Sequence, residues 1–406
     1  MSYYILPKKN IDFDIQVTYS VNNKIIEPIV SFSLFYYLSQ AKLQVCNIVR
    51  EETESRIIRK HEMVVQGPRY RTKEKEKEKE NTDITLEFLN KILNPYEFIF
   101  SYVPQSILSV SKLRPYSNIF YIFMEIIQMF NLLDFFEDKN INTIHYGPNS
   151  PAVVECLDML REDSNDVNWK YPNVQGNKWT TKDSLAPLQN LGPLQNSNVS
   201  FLSYELHESD YKNNNKYFMG VINILCNIIC NQSMNGVAII KLHNIFYKPI
   251  IDVLFMLTSM YEKIYIIKPN NTNMFDSERY IICKNFILNQ QRIVTYNYYL
   301  YHLNNIVVDK EIVSIIKNDL PYYFMNKIEE SNIIIGHQQL EYIDHLISLY
   351  KSKNREDKIE IIKKNNIQKC ILWCDKFKIP YNKFTDRINI FLQQPSASVA
   401  VHSEEA

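Results

Sequence analysis

Glycine is scarce, at 7 of 406 residues, about a quarter of the usual share. Folds that depend on several glycine-rich phosphate loops are therefore hard to build from this chain. Net charge is missing too. Lys+Arg and Asp+Glu each number 45, which excludes a chain-wide basic field of the kind strong non-specific nucleic-acid binders use and leaves only a local basic groove. The cysteines Cys46, Cys156, Cys226, Cys230, Cys283, Cys370 and Cys374 include no CxxC pair. Cys226/Cys230 and Cys370/Cys374 have helical i,i+4 spacing inside apolar runs and read as reduced core thiols. The histidines are scattered without HExxH spacing, so no metal site is expected, and His145 and His243 read as satisfied structural residues. No apolar run reaches about 18 residues, and MSYYILPKKN lacks signal-peptide design. A cytoplasmic protein without a membrane span is the expectation.

What is present is enough for a large core: 46% of residues are hydrophobic and 22% charged, the balance of a folded chain. Residues 1–65 mix short apolar runs with polar turns and do not declare a fold. Residues 66–81, with their alternating Lys/Glu run, read as a solvated linker. Beyond it the pattern turns regular. Helices are expected over Asp83–Leu93, Ser117–Phe136, from Gly147-Pro148 through Arg161, over Tyr211–Cys230 and over Tyr247–Tyr261. Strands are expected at Asn142–Tyr146, Val199–Ser203, Gly236–Leu242, Lys263–Lys268 and Arg279–Lys284. The polar stretch 163–197 reads as a long insertion loop, residues 291–392 as a mainly helical region, and 393–406 as a disordered tail. Strands alternating with helices imply βαβ units and a mostly parallel sheet, the last two strands closing it as an antiparallel hairpin. Ligands of such α/β sheets collect at the carboxyl ends of strands. Lys241 ends an otherwise apolar strand there, and Glu278 opens the last strand. A basic set of Lys112, Arg114, Lys241, Lys248, Lys268 and Arg279 can converge on the same cleft and meet RNA phosphates.

Three segments then carry a resemblance: G-V-A-I-I-K (residues 236–241), Y-E-K-I-Y-I-I-K-P (261–269) and S-E-R-Y-I-I-C-K (277–284). In this order and spacing the chain resembles the FtsJ-type (RrmJ-like) ribose 2′-O-methyltransferases, including FtsJ-like proteins of large nucleocytoplasmic DNA viruses. The resemblance implies an α/β fold with a Rossmann-like methyltransferase sheet of seven strands, mostly parallel, with one antiparallel edge hairpin. The FtsJ-like domain spans 82–290, with N-terminal and helical C-terminal extensions. It also implies S-adenosylmethionine as cofactor, RNA as substrate, and a Lys-Asp-Lys-Glu tetrad that helps a ribose hydroxyl attack the methyl group. Because a sugar hydroxyl has a very high pKa, a lysine of lowered pKa is needed to polarise its proton.

Carried over by position, the second tetrad lysine is Lys241 and the glutamate Glu278. In S-N-I-F-Y-I-F-M-E-I the first lysine's place is taken by Ile122. In N-V-S-F-L-S-Y the aspartate's place is taken by Tyr204, with Glu205 beside it. The cofactor turn, His145 to Pro151, offers Gly147 and Asn149 as binding positions, but it has two prolines and no carboxylate. The expected function is a methyltransferase-fold protein, catalytically degraded, serving as a binding or scaffold subunit of an RNA-modifying or viral complex in the host cytoplasm or virion. Two alternatives are an active RNA 2′-O-methyltransferase with Glu205 replacing the aspartate, and a structural virion protein.

Overall fold

A computed structural model of the chain describes residues 3–9, 11–20, 26–65, 84–171, 199–307 and 310–384. The Lys/Glu run, most of the 163–197 stretch and the 393–406 tail lie outside these residues. The sheet is built from β1 (Tyr3–Leu6), β3 (Asn142–Tyr146), β4 (Val167–Tyr171), β5 (Val199–Glu205), β6 (Gln232–Leu242), β7 (Tyr261–Ile267) and β8 (Arg279–Phe286). Its order is β1-β7-β8-β6-β5-β3-β4. β4, β3, β5 and β6 run parallel, while β8 is antiparallel to both β6 and β7. β7 therefore points the same way as β6, and five of the seven strands share one direction. A separate pair joins β2 (Ile15–Tyr19) to β9 (Ile312–Ile316).

Three expectations need correction. The seventh strand comes from the N-terminal residues: β1 pairs Tyr3 with Ile267 and takes the outer edge, so the β7–β8 hairpin does not form it. Val167–Tyr171, inside the stretch read as a loop, is a strand in register with β3. The long helix expected over 117–136 stops at Met129, because Asn131 takes a positive φ of 48° and the chain turns.

The central strands are apolar on both sides, as strands covered on both faces must be. Alternation sends Phe201, Val237, Ile239 and Ile282 to one face, and Leu202, Tyr204, Ala238, Ile240 and Ile281 to the other. The first face is covered by α2 (Leu86–Leu93), α3 (Ile119–Met129), α4 (Ser150–Leu160) and α9 (Glu356–Lys376). The second is covered by α5 (Asn214–Asn231), α6 (Lys248–Met260) and α7 (Gln290–Asn304). α1 (Phe32–Val65) and α8 (Tyr322–Lys351) lie across each other, with Gly336 against Leu34. Helix starts are set locally. The side chains of Thr85, Asn213 and Asn289 each accept a hydrogen bond from a first-turn N–H of their helix, satisfying a donor the helix leaves free. Pro151 and Pro249 open α4 and α6 at positions where no N–H is needed. All seven cysteines are free thiols, five of them buried.

Candidate functional site

The register of the central strands assembles the site. Glu205 at the end of β5 is paired across the sheet with Lys241 of β6, and Lys241 with Tyr280 of β8. Residues two apart share a face, so Glu205, Lys241 and Glu278 stand in a row over the side covered by α3 and α4. Lys241 Nζ is 2.9 Å from Glu205 Oε1 and 2.9 Å from Glu278 Oε2. Its side chain is 18% exposed and each carboxylate 14%. Burial disfavours the ammonium charge, but the Tyr280 oxygen and the two carboxylates outweigh it and hold the Lys241 pKa well above the ordinary lysine value. That is opposite to what a lysine acting as base requires.

Of the residues expected at the site, Lys241 and Glu278 meet; Tyr204 borders the cleft but turns its ring away, and Ile122 does not join them. Tyr204 is one residue out of phase and faces the other side of the sheet, where its hydroxyl donates to Asn227 at 2.8 Å and its ring stacks on Tyr146. Glu205, its neighbour in β5, holds the third place, and the parity of β5 is the signal that selects it. Ile122 is packed in the core under its own helix, while Ile119, three residues before it, and Phe123, the next residue, line the cleft beside Lys241. No cation enters from that helix. Burial lowers the pKa of two lysines near this edge: Lys42, which donates to Ser277 at 2.8 Å, and Lys268, which falls to about 8. The Lys268 ammonium is committed to the carbonyls of Asn273, Asp276 and Glu278 at 2.6–3.2 Å, which fixes the loop that presents Glu278. Glu125 on α3 pins the other end of this loop by accepting from the backbone N–H groups of Asn270 and Asn271.

The expected cofactor turn is closed on the triad. Asn149 donates its amide to both oxygens of Glu205, at 3.2 and 3.0 Å, and its backbone N–H to Oε2 at 3.3 Å. Gly147 has φ +122°, and a Cβ there would lie 2.6 Å from the carbonyl oxygen of Glu205. Gly147→Ala is accordingly expected to destabilise the fold by about 2 kcal/mol, measurable by urea unfolding. The cleft left between α3, α4 and the strand ends holds about 240 Å³, open solvent at its mouth included. Sites for ligands of cofactor size occupy roughly 300–1,000 Å³. The donor set does not suit adenosylmethionine either: one glycine, prolines on both sides of the turn, and a carboxylate already taken by Asn149 and Lys241. Two hydroxyls at the cleft, Ser150 Oγ and Tyr280 OH, are buried without a protein partner.

Below the cleft runs a polar chain that sequence reasoning missed. Asn168 Nδ2 donates to Asp158 Oδ1 at 2.8 Å, which aims its oxygen at Thr143, and the Thr143 hydroxyl donates to it at 2.6 Å. Thr143 must then accept from His145 Nε2–H at 2.8 Å. His145 Nδ1 is left as the acceptor for the Ser203 hydroxyl, also at 2.8 Å. His145 is fully buried, and burial pushes its pKa down to about 3. Period-two polar residues in two adjacent strands, Thr143/His145 and Ser203, were the available signal. His243 does not line the cleft. Its ring packs on Tyr211, and burial lowers its pKa to about 4.

Much of the expected basic set is spent on structure. Lys268 and Arg279 are buried, with Arg279 donating to Asn332 at 2.6 Å, and Lys248 is paired with Asp252. Among the described residues no cluster of three or more His, Cys, Asp or Glu is arranged to hold a metal, and no helix is long and apolar enough to cross a membrane.

No family model matches the chain. The cap-specific mRNA (nucleoside-2′-O-)-methyltransferase 1 of Dictyostelium discoideum is 29% identical over 154 residues, which are 36% of this chain. The chain spans only 20% of that protein's length. Among solved structures, a ribosomal RNA methyltransferase of Plasmodium falciparum is 12% identical, with a TM-score of 0.33 over 43% of this chain and 99% of its own. The curated relative is a nucleoside-2′-O-methyltransferase, in keeping with the FtsJ-like resemblance carried by the three motif strands.

Proposed function

We propose that this chain is an RNA methyltransferase-fold protein that has given up methyl transfer and serves as an RNA-binding or scaffold subunit of an RNA-modifying complex. One observation carries the reading: Lys241 is held between Glu205 and Glu278 with its pKa raised, while α3 supplies Ile119 and Phe123 where a second cation would be needed to lower it. A like charge nearby is what pushes a lysine towards the neutral form. Without it, Lys241 stays protonated at neutral pH and cannot take the proton of a ribose hydroxyl. The closed Gly147–Asn149 turn supports the same conclusion from the cofactor side. A ligand reaching Glu205 must first displace hydrogen bonds to Asn149. Each charged hydrogen bond lost costs about 1.5–3 kcal/mol, enough to move a micromolar affinity toward millimolar.

Calorimetric titration of the full chain with adenosylmethionine is the direct test. No saturable heat is expected up to millimolar ligand. A dissociation constant in the low micromolar range, with methyl transfer to capped RNA that Lys241→Ala abolishes, would overturn the reading in favour of an active 2′-O-methyltransferase.

A further inference from the structure

The segment between the 3₁₀ turn at Glu97–Ile99 and α3 crosses the rim of the cleft and carries an unusual surface. It is tied down at several points. Tyr116 N–H donates to Glu155 of α4 at 2.7 Å, Asn118 Nδ2 to the carbonyl of Asn271 at 3.0 Å, and Tyr121 OH to the carbonyl of Leu113 at 3.1 Å. Residues 380–382 lie alongside: Lys112 N–H donates to the Pro380 carbonyl, and Asn382 N–H to that of Val110, each at 2.8 Å. This fixed platform presents Tyr102 and Tyr116, 63% and 60% exposed. The Arg114 guanidinium lies 4.8 Å from the Tyr102 ring centre, and exposed Lys112 and Lys383 flank it. None of these three cations takes part in an ion pair among the described residues. The acids on this rim have partners of their own: Asp375 is bonded to Tyr381, Glu155 accepts from Tyr116 N–H and Glu97 from Ser101.

Exposed aromatic rings interleaved with unpaired cations, on rigid backbone, are what single-stranded nucleic acid needs: faces for bases to stack on and charges for phosphates. Arg114 over the Tyr102 ring places a cation at the aromatic face, within cation–π distance. We infer that Tyr102, Tyr116, Lys112, Arg114 and Lys383 form a single-stranded RNA-binding platform beside the closed cleft. The inference rests on the RNA-binding reading above and names the surface that performs it. It does not use the Glu205–Lys241–Glu278 row, so the platform binds RNA whether or not the cleft is active.

The test is fluorescence anisotropy of a labelled twelve-nucleotide single-stranded RNA with the full chain, its Tyr102→Ala and Tyr116→Ala variants, and Lys112→Ser/Lys383→Ser. All four side chains are exposed or half-exposed, so the variants should melt as the parent does. Stacking one base is worth enough that each tyrosine change should weaken binding roughly 5- to 100-fold. Three phosphate contacts should make affinity fall roughly 20-fold between 50 and 200 mM salt, and less steeply in the double lysine variant. RNA binding by the parent that none of these substitutions weakens would overturn the platform while leaving the RNA-binding reading intact, and would assign the patch to a protein partner. A parent that does not bind the oligonucleotide at 50 mM salt would overturn both.

Discussion

Lys241→Met should destabilise the protein by about 3 kcal/mol, within the range for removing one partner of a buried ion network. The substitution leaves Glu205 and Glu278 facing each other, largely shielded from water, with no cation between them. A surface ion pair would cost less than about 1 kcal/mol, so the two outcomes are well separated in a urea unfolding curve. The companion experiment is a double-mutant cycle. Lys241→Met combined with Glu205→Gln removes the like-charge conflict, so the pair should cost clearly less than the two single changes added together. A lysine kept for catalysis alone would show neither the large cost nor the coupling.

Stability should also fall steeply in mild acid, and His145 should account for a definable part of the fall. Its pKa is about 3 in the folded chain and about 6.5 in an unfolded one. Between these values the unfolded state binds a proton that the folded state refuses. The stability this residue contributes is therefore complete above pH 6.5 and is lost as pH drops towards 3. The whole window amounts to on the order of 5 kcal/mol. Buried carboxyls and His243 titrate over overlapping ranges, so the informative quantity is a difference. His145→Gln keeps a donor and an acceptor for Thr143 and Ser203 but cannot titrate. Unfolding free energies measured from pH 7 to pH 4 should rise with pH by nearly one proton less in the variant than in the parent at pH 5. Parallel curves would show that His145 is protonated in the folded state.

Much of the architecture was legible because the strands announce themselves. Val237 to Ile240 and Ile264 to Ile267 are apolar on both faces, and only a covered sheet accepts such runs. Lys241 and Glu278 were legible because they interrupt those runs at strand ends. What failed depended on phase or on distance. Tyr204 and Glu205 differ by one residue, and one residue decides the face of a strand; without the β5–β6 register, sequence alone had no means to choose Glu205. Ile122 was placed by pattern matching along a helix, where the side chains that reach the cleft are its neighbours Ile119 and Phe123. β1 was illegible for a different reason. Four residues, Tyr3 to Leu6, carry too little periodicity to announce a strand, and their partners, Ile264 to Ile267, are remote in sequence.

β1 pairs with β7, and β2 with β9, so the N-terminal residues find their places only after residues 261–267 and 312–316 have left the ribosome. Contacts this remote are slow to close, and apolar segments that wait unpaired are exposed to aggregation. Tyr3 and Ile5 remain on the outer face even when the sheet is complete. A chaperone that shields the first residues until the last strand is made would therefore raise the yield of folded chain more than one acting on the central strands, which pair with near neighbours as they emerge.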